Sequence, residues 1–288
     1  KPLEKKFKIG KDIFVGFSSE RIDPGNIKFT IDKIPKVISG YRKNCLLILD
    51  TFYKNLFNKV YKASNLEIAE MSKIFENVFR AVNISLVNEI KELSKKLDID
   101  FNEVVNLAAT KPFGFMKFEP GIGAGGHCIP IDPIYLQWKL KMEKLNSKIL
   151  NTAINFNKNY TSQIFKEIKF HLDKFQIIGK KKKILILGLA YKKNIDDIRH
   201  SPAHEIFQRL RTKVDLSYHD PHVKKIRIGK DYFKSIKLDN KFKILKNFSA
   251  IIFLVNHDYY RDKNDILKSS NLIIDGTNSF KSIKCINI

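Results

Sequence analysis

The chain is poor in cysteine, methionine and tryptophan, with three, three and one of them in 288 residues. Cys45, Cys128 and Cys285 are an odd number at wide spacing and form no CxxC pair, which excludes a disulfide framework and a thiolate zinc site. Each thiol therefore has to be judged alone, and no metal is expected. No apolar run reaches the roughly 18 to 20 residues that cross a bilayer, and residues 1–10 lack the apolar stretch of a signal peptide, so a cytoplasmic protein without a membrane partner is expected. Acidic residues are scarce as well: 30 Asp and Glu stand against 53 Lys and Arg, for a net charge of +23. Such a balance raises nucleic acid as a partner. Here, however, Lys greatly outnumbers Arg and is scattered over helical and strand segments alike, whereas groove-reading proteins lean on Arg forks. The charge is read as a diffuse surface property, and no nucleic-acid partner is expected.

What is present is enough for a core. The apolar fraction is 43% with 22 Phe, and the length exceeds what one core usually serves. Ile13 to Phe17 is a short strand-like run leading into the polar turn Ser18 to Asn26. From Asn65 on, Ile68, Met71, Ile74, Phe75, Val78, Val82, Leu86 and Ile90 recur at helical spacing and predict one long amphipathic helix over Leu66 to Leu97. A second helix is expected at Asn102 to Ala109, a glycine-rich loop at Phe118 to Pro133, and helical patterning from Ile134 to about Lys174. After Gly179 the period changes. Lys183 to Gly188 reads as a strand buried on both faces of a parallel sheet, with further strands at Val214 to Tyr218, Ala250 to Val255 and Leu272 to Ile274. Strands alternating with helices predict a doubly wound α/β unit.

Three runs carry chemistry. The first is Pro120-Gly121-Ile122-Gly123-Ala124-Gly125-Gly126-His127-Cys128-Ile129-Pro130-Ile131-Asp132-Pro133, in which four glycines within six positions let backbone amides approach a ligand. Cys128 ends that loop, where Asp132 and a lysine from elsewhere could tune a thiolate. Taken alone, a lone cysteine is more often a small buried hydrophobe, and His127 is left as structural. The second run is on the long helix, where Lys73 and Asn77 share one face; it reads either as a solvated polar stripe or as a cation beside an oxyanion. The third, Ile186 to Pro202, passes from a strand end through a polar loop to a helix start, with Ser201 and Pro202 suited to cap and first turn. It holds one glycine, at Gly188, and is not a GxGxxG turn.

Together these runs resemble the nucleotide-sugar 6-dehydrogenases, the family containing UDP-glucose dehydrogenase. The turn Ser18 to Asn26 is similar to the family's SPERIDPGN, and Ala69 to Asn77 to its helix motif. Thr110-Lys111-Pro112-Phe113-Gly114-Phe115, the run ending at Pro133, and Tyr135 to Lys139 resemble the UDP-N-acetylglucosamine branch. Ile129 and Ile131 stand where UDP-glucose enzymes place Phe and Lys, which favours an acetamido sugar.

The resemblance implies an α/β fold in three parts: residues 1–26 as the C-terminal remnant of an NAD-binding Rossmann domain, 27–178 as a helical central dimerisation domain carrying the Cys loop and a long connecting helix, and 179–288 as a Rossmann-like UDP-sugar-binding domain. It implies a four-electron oxidation of a sugar CH2OH to a carboxylate with two NAD in succession. Cys128 would hold the aldehyde as a thiohemiacetal and then a thioester; Lys73 and Asn77 would stabilise charge on the sugar oxygen; Asp132 and Glu20 would position water. Arg21, Phe118, Gly121, Gly125, Tyr191 and Lys192 would contact the UDP-sugar, and Arg199 the NAD. A homodimer is expected, with a separate NAD-binding chain as a further partner. The departures are His200 where the family has Glu, Thr277 where it has Arg, and Ser19 and Ile122 for prolines. Two functions stay open: a dehydrogenase present as its C-terminal portion, and a catalytically incomplete nucleotide-sugar-binding remnant or scaffold.

Overall fold

The structure, a computed structural model, describes residues 3–26, 29–238, 243–260, 272–280 and 285–288. The chain divides into two compact units, Lys1–Phe79 and Arg80–Ile288. The expected start of the helical centre at Ile27 lies outside the described residues.

In the first unit β1 (Gly16–Ser18) pairs antiparallel with β2 (Lys36–Gly40), which pairs parallel with β3 (Val60–Lys62). The crossover between β2 and β3 is α1 (Lys43–Lys54). This strand–helix–strand element adds to the sequence reading, which did not resolve it because strands of five and three residues are too short to show a period.

The long helix α2 (Leu66–Lys96) forms where the apolar spacing predicts it. Its apolar stripe is only partly covered, with Ile74, Val78 and Val82 half-buried. Phe75 is 64% exposed and Asn77 only 2%; Ile68, Met71, Phe79, Leu86, Ile90 and Leu93 are exposed, while Ala81, Ser85, Asn88 and Lys91 are buried. The polar face is buried because it has partners: Ser85 Oγ donates to the Ala153 carbonyl at 3.2 Å, and Asn88 Oδ1 accepts from the Gly121 amide at 2.9 Å. Of the face that bears Lys73 and Asn77, Asn77 is buried and Lys73 half-buried, which does not match the solvated-stripe alternative.

Three more helices follow. They are α3 (Phe101–Ala108), α4 (Asp132–Met142) and α5 (Lys148–Lys174). The patterning from Ile134 to Lys174 is thus two helices. α4 ends in a Schellman cap: Lys144 takes φ +57°, its amide donates to the Lys141 carbonyl at 3.0 Å, and Leu145 N donates to Leu140 O at 2.8 Å. Ser147 then caps α5, accepting from Leu150 N. No glycine marks the break, which is why the sequence conceals it.

The second unit is built on a five-stranded parallel sheet in the order β10-β9-β8-β4-β5, from β4 (Gly179–Leu187), β5 (Val214–His219), β8 (Ala250–Phe253), β9 (Ile273–Asp275) and β10 (Cys285–Asn287). A hairpin, β6 (Lys225–Ile228) and β7 (Asp231–Lys234), is inserted after β5. As the sequence predicts, β4 is buried on both faces. Ile184 and Ile186 point to a core shared with Ile164, Ile168 and Leu172 of α5 and with Phe207 of α6 (Pro202–Leu210), while Leu185 and Leu187 point to a second core with Phe253 and Tyr260. Among the described residues no helix is long and apolar enough to cross a membrane.

Candidate active site and nucleotide cleft

Counting only the sheet strands, β4 is first, β5 second and β8 third, so the chain leaves β4 to one side and then to the other. The crevice outside the carboxyl ends of β4 and β8 is the topological switch point, where open α/β sheets bind ligands. A cavity of about 430 Å³ lies there, lined by Gly121, Tyr191, Lys192, Asn256 and Thr277 among others.

The segment leaving β4 is tightly specified. Gly188 has φ +86°, and a Cβ there would fall 2.5 Å from that of Val255. The next two amides, Leu189 and Ala190, donate to Asp220 Oδ2 at 2.7 and 3.1 Å. Asp220 follows β5 and is 2% exposed. Burial pushes its carboxyl up, but the His257 contact and the amides of Leu189 and Val223 outweigh that and hold it well below the usual carboxylate range. The segment ends on α6, where Ser201 Oγ accepts from His204 N and donates to the Leu189 carbonyl at 2.8 Å, with Pro202 in the first turn.

The Cys128 loop packs directly on this segment. An added Cβ at Gly125 would lie 2.6 Å from Tyr191 Cβ, and one at Gly126 would lie 2.9 Å from the Tyr191 ring. The Gly126 amide donates to the Arg199 carbonyl at 3.0 Å. These glycines therefore make room for protein as well as for any ligand. Gly121 differs: nothing lies within 4 Å of its added Cβ, and it lines the cavity. Residues Glu119–Gly123 face that cavity, while Ala124 and Ile129–Ile131 line a larger one of about 700 Å³ against α4, α5 and α6. The smaller cavity is the stronger candidate, because it alone sits at the switch point.

Cys128 is half-buried, and its carbonyl accepts from Ile131 N and Asp132 N at 3.1 and 2.9 Å in the turn that starts α4. Asp132 stands in the first turn of α4, where a negative charge suits the helix dipole. The Cys128 sulfur and Tyr191 lie close enough to Arg199 to act on its charge; the first cause of the raised Arg199 pKa is Asp197, whose carboxylate it grips at 2.6 to 3.1 Å. All three cysteines stand as thiols. Cys45 is fully buried, and Cys285 is pushed up to about 12 by burial and then by Asp275. Among the described residues no group of three or more His, Cys, Asp or Glu could hold a metal ion.

The remaining candidates belong to the first unit. Glu20 is exposed, and its Oε1 accepts from the amides of Arg21 and Ile22 at 2.6 and 2.7 Å, folding the turn on itself. Arg21 is engaged by Glu76 at 2.6 Å and by the Pro35 carbonyl at 3.0 Å. Lys73 is half-buried one turn before Asn77 on α2. Thus Cys128, Asp132, Phe118, Gly121, Gly125, Tyr191, Lys192 and Arg199 share one unit, and Glu20, Arg21, Lys73 and Asn77 the other. Sequence reasoning missed Asp220, His257 and Glu76, whose importance lies in partners that only the fold supplies.

Two family models match the chain: the central domain of the UDP-glucose/GDP-mannose dehydrogenase family over residues 67–159, and that family's UDP-binding domain over residues 185–282. The chain belongs to the UDP-glucose/GDP-mannose dehydrogenase family. It is 34% identical to the protein CapL of Staphylococcus aureus over 272 residues, covering 92% of this chain and 63% of CapL. It is 31% identical over 227 residues to UDP-N-acetyl-D-glucosamine 6-dehydrogenase of Pseudomonas aeruginosa, covering 77% of this chain and 53% of that protein. Among solved structures it is similar to a UDP-D-ManNAc dehydrogenase from Pyrococcus horikoshii, with TM-score 0.81 and 27% identity over 98% of this chain and 66% of that one. The chain spans less than two thirds of the length of these relatives.

Proposed function

We propose that this chain supplies the thiol-bearing and UDP-sugar-binding parts of an NAD-dependent nucleotide-sugar 6-dehydrogenase whose substrate is a UDP-N-acetylhexosamine. The observation that carries this reading is that the switch-point cavity and the loop ending on Cys128 share Gly121 as wall. Lys192 supplies a cation to a diphosphate there, and Gly121, with no side chain, leaves room for it. Relatives named for N-acetylglucosamine and N-acetylmannosamine substrates, together with Ile129 and Ile131 beside the thiol, support an acetamido sugar over glucose.

The Cys128 thiolate is the nucleophile toward the C6 aldehyde. Its electron pair forms the C–S bond while the carbonyl pair moves to oxygen, and retaining the aldehyde as a thiohemiacetal prevents its escape. Lys73 and Asn77 are proposed to counter charge on the sugar oxygen, and Asp132 and Glu20 to hold water. Arg21, Phe118, Gly125 and Tyr191 are assigned to shaping the sugar site, directly or by holding its walls.

NAD is the hydride acceptor of the proposed whole protein. The described strand ends do not fit its pyrophosphate: the Leu189 and Ala190 amides that follow β4 are taken by Asp220, and Arg199, the expected NAD contact, is gripped by Asp197. The cofactor is therefore assigned to a separate NAD-binding domain, on this polypeptide or another. The outward apolar face of α2, with Phe75, Phe79, Leu86 and Ile90 exposed, supports a homodimer.

The test mixes this chain with an NAD-binding domain of the family, UDP-N-acetylglucosamine and NAD. NADH is expected by absorbance, and it should vanish in Cys128→Ser. UDP binding by calorimetry without turnover, although the two parts associate, supports instead the nucleotide-sugar-binding scaffold. No UDP binding at all removes both readings.

A further inference from the structure

We propose that His257, held by Asp220, is a positioning residue that fixes the loop Leu189–Asn194 and so sets Lys192 in the switch-point cavity. The proposal rests on the reading of that cavity as the nucleotide-sugar site. His257 lies in the loop after β8 and is fully buried. Its Nδ1 accepts the Asn194 amide at 2.8 Å, and its Nε2 lies 3.1 Å from Asp220 Oδ2. A backbone amide can only donate, so Nδ1 carries no hydrogen and the ring proton sits on Nε2, pointing at Asp220. The imidazole is neutral, and both of its nitrogens are used.

Asp220 completes the arrangement. Its carboxylate accepts from the amides of Leu189, Ala190, His222 and Val223 and from the His257 ring. The loop is thus pinned at its start by Asp220 and at its end by His257. Asn194 itself takes φ +61°, and its side-chain amide makes reciprocal bonds with Asp258, donating to Oδ2 at 2.6 Å and accepting from the Asp258 amide at 3.0 Å. Tyr191, Lys192 and Lys193 lie between the two pins, and all three line the cavity. Tyr191 is also the surface on which Gly125 and Gly126 rest. One buried imidazole therefore governs the cation of the cavity and the floor of the Cys128 loop.

Phenylalanine at 257 preserves a ring of similar bulk and removes both hydrogen bonds, whereas asparagine restores an acceptor close to the position of Nδ1. In the wild-type chain, ring nitrogen NMR is expected to show the neutral tautomer protonated on Nε2. In His257→Phe, hydrogen exchange at the Asn194 amide is expected to rise about tenfold while Leu185 and Ile186 stay protected, and UDP affinity to fall about tenfold. His257→Asn should bring both back to within about threefold of wild type. A wild-type ring protonated on Nδ1 overturns the proposal, even if the Phe variant fails to fold. So do a folded Phe variant equal to wild type at Asn194, and an Asn variant no better than Phe. If the wild-type chain binds no UDP, the nucleotide-sugar reading falls, and the Asn194 exchange still decides whether His257 anchors the loop.

Discussion

Alanine at Gly125 and alanine at Gly121 are the same chemical change four residues apart, and the structure assigns them opposite consequences. At Gly125 the new methyl would fall 2.6 Å from Tyr191 Cβ, 3.0 Å from Pro202 Cδ and 3.1 Å from the His200 carbonyl. None of these is the far end of a flexible side chain. Overpacking against atoms of this kind costs about 1–3 kcal/mol. The loop can escape by lifting away, but that breaks the Gly126–Arg199 and Gly121–Asn88 hydrogen bonds, at about 1 kcal/mol each. Both routes cost about 2 kcal/mol, which at an m-value of about 2 kcal/mol/M lowers the urea midpoint by about 1 M. Gly121→Ala meets nothing within 4 Å, so its stability should stay within about 0.5 kcal/mol of wild type. Because Gly121 lines the switch-point cavity, UDP affinity should nonetheless fall in that variant. Urea unfolding and UDP calorimetry on both variants read the contrast. An unchanged midpoint for Gly125→Ala would refute the packing argument; a Gly121→Ala variant that binds UDP as wild type does would refute the assignment of the cavity.

Thiol chemistry offers a second check: a maleimide at pH 8 should modify Cys128 first, since Cys45 is fully buried and Cys285 is pushed up to about 12 and scarcely ionised, and peptide mapping that finds Cys285 labelled before Cys128 contradicts the site. For Asp220, the folded-state pKa lies below the unfolded value, so its stabilisation is fully present above the ordinary carboxylate range near pH 4 and is lost as pH falls through that range toward the folded pKa. Asp220→Asn should therefore destabilise the second unit at pH 7 and narrow its gap to wild type as the pH is taken below about 4; a gap independent of pH sinks the assignment.

The sequence disclosed the sheet better than the helices' surroundings. β4 was legible because Ile184 to Leu187 is continuously apolar, and such a run has few alternatives to a strand covered on both faces. Ser201 and Pro202 were legible because capping is local chemistry. The ends of α2 and α5 were read to within a residue, whereas the break between α4 and α5 was not legible. α4 turns on Lys144, a residue other than glycine at positive φ, and nothing in that side chain announces a left-handed turn. Within the candidate site, the Cys128 loop and its glycines were visible as a motif. The Asp220–His257 couple was not, since its two members lie on different strand ends and only the parallel sheet brings them to 3.1 Å.

The long helix shows why periodicity alone stops short of function. A stripe such as Ile68, Met71, Phe75 and Phe79 tells that one face of a helix prefers to leave water, and says nothing about what receives it. In this chain the other face is buried instead, because Asn88 holds the Gly121 amide and Ser85 the Ala153 carbonyl, bonds that a buried polar group requires. The same choice therefore does two things. It ties the glycine loop to the long helix through Asn88, fixing a wall of the switch-point cavity, and it leaves Phe75, Leu86 and Ile90 exposed for a second apolar surface. If that surface is another copy of the chain, as proposed, the loop that presents Cys128 is anchored to a helix whose own setting depends on the dimer. Diluting the protein below its association range should then loosen the Gly121 amide to hydrogen exchange before it loosens β4.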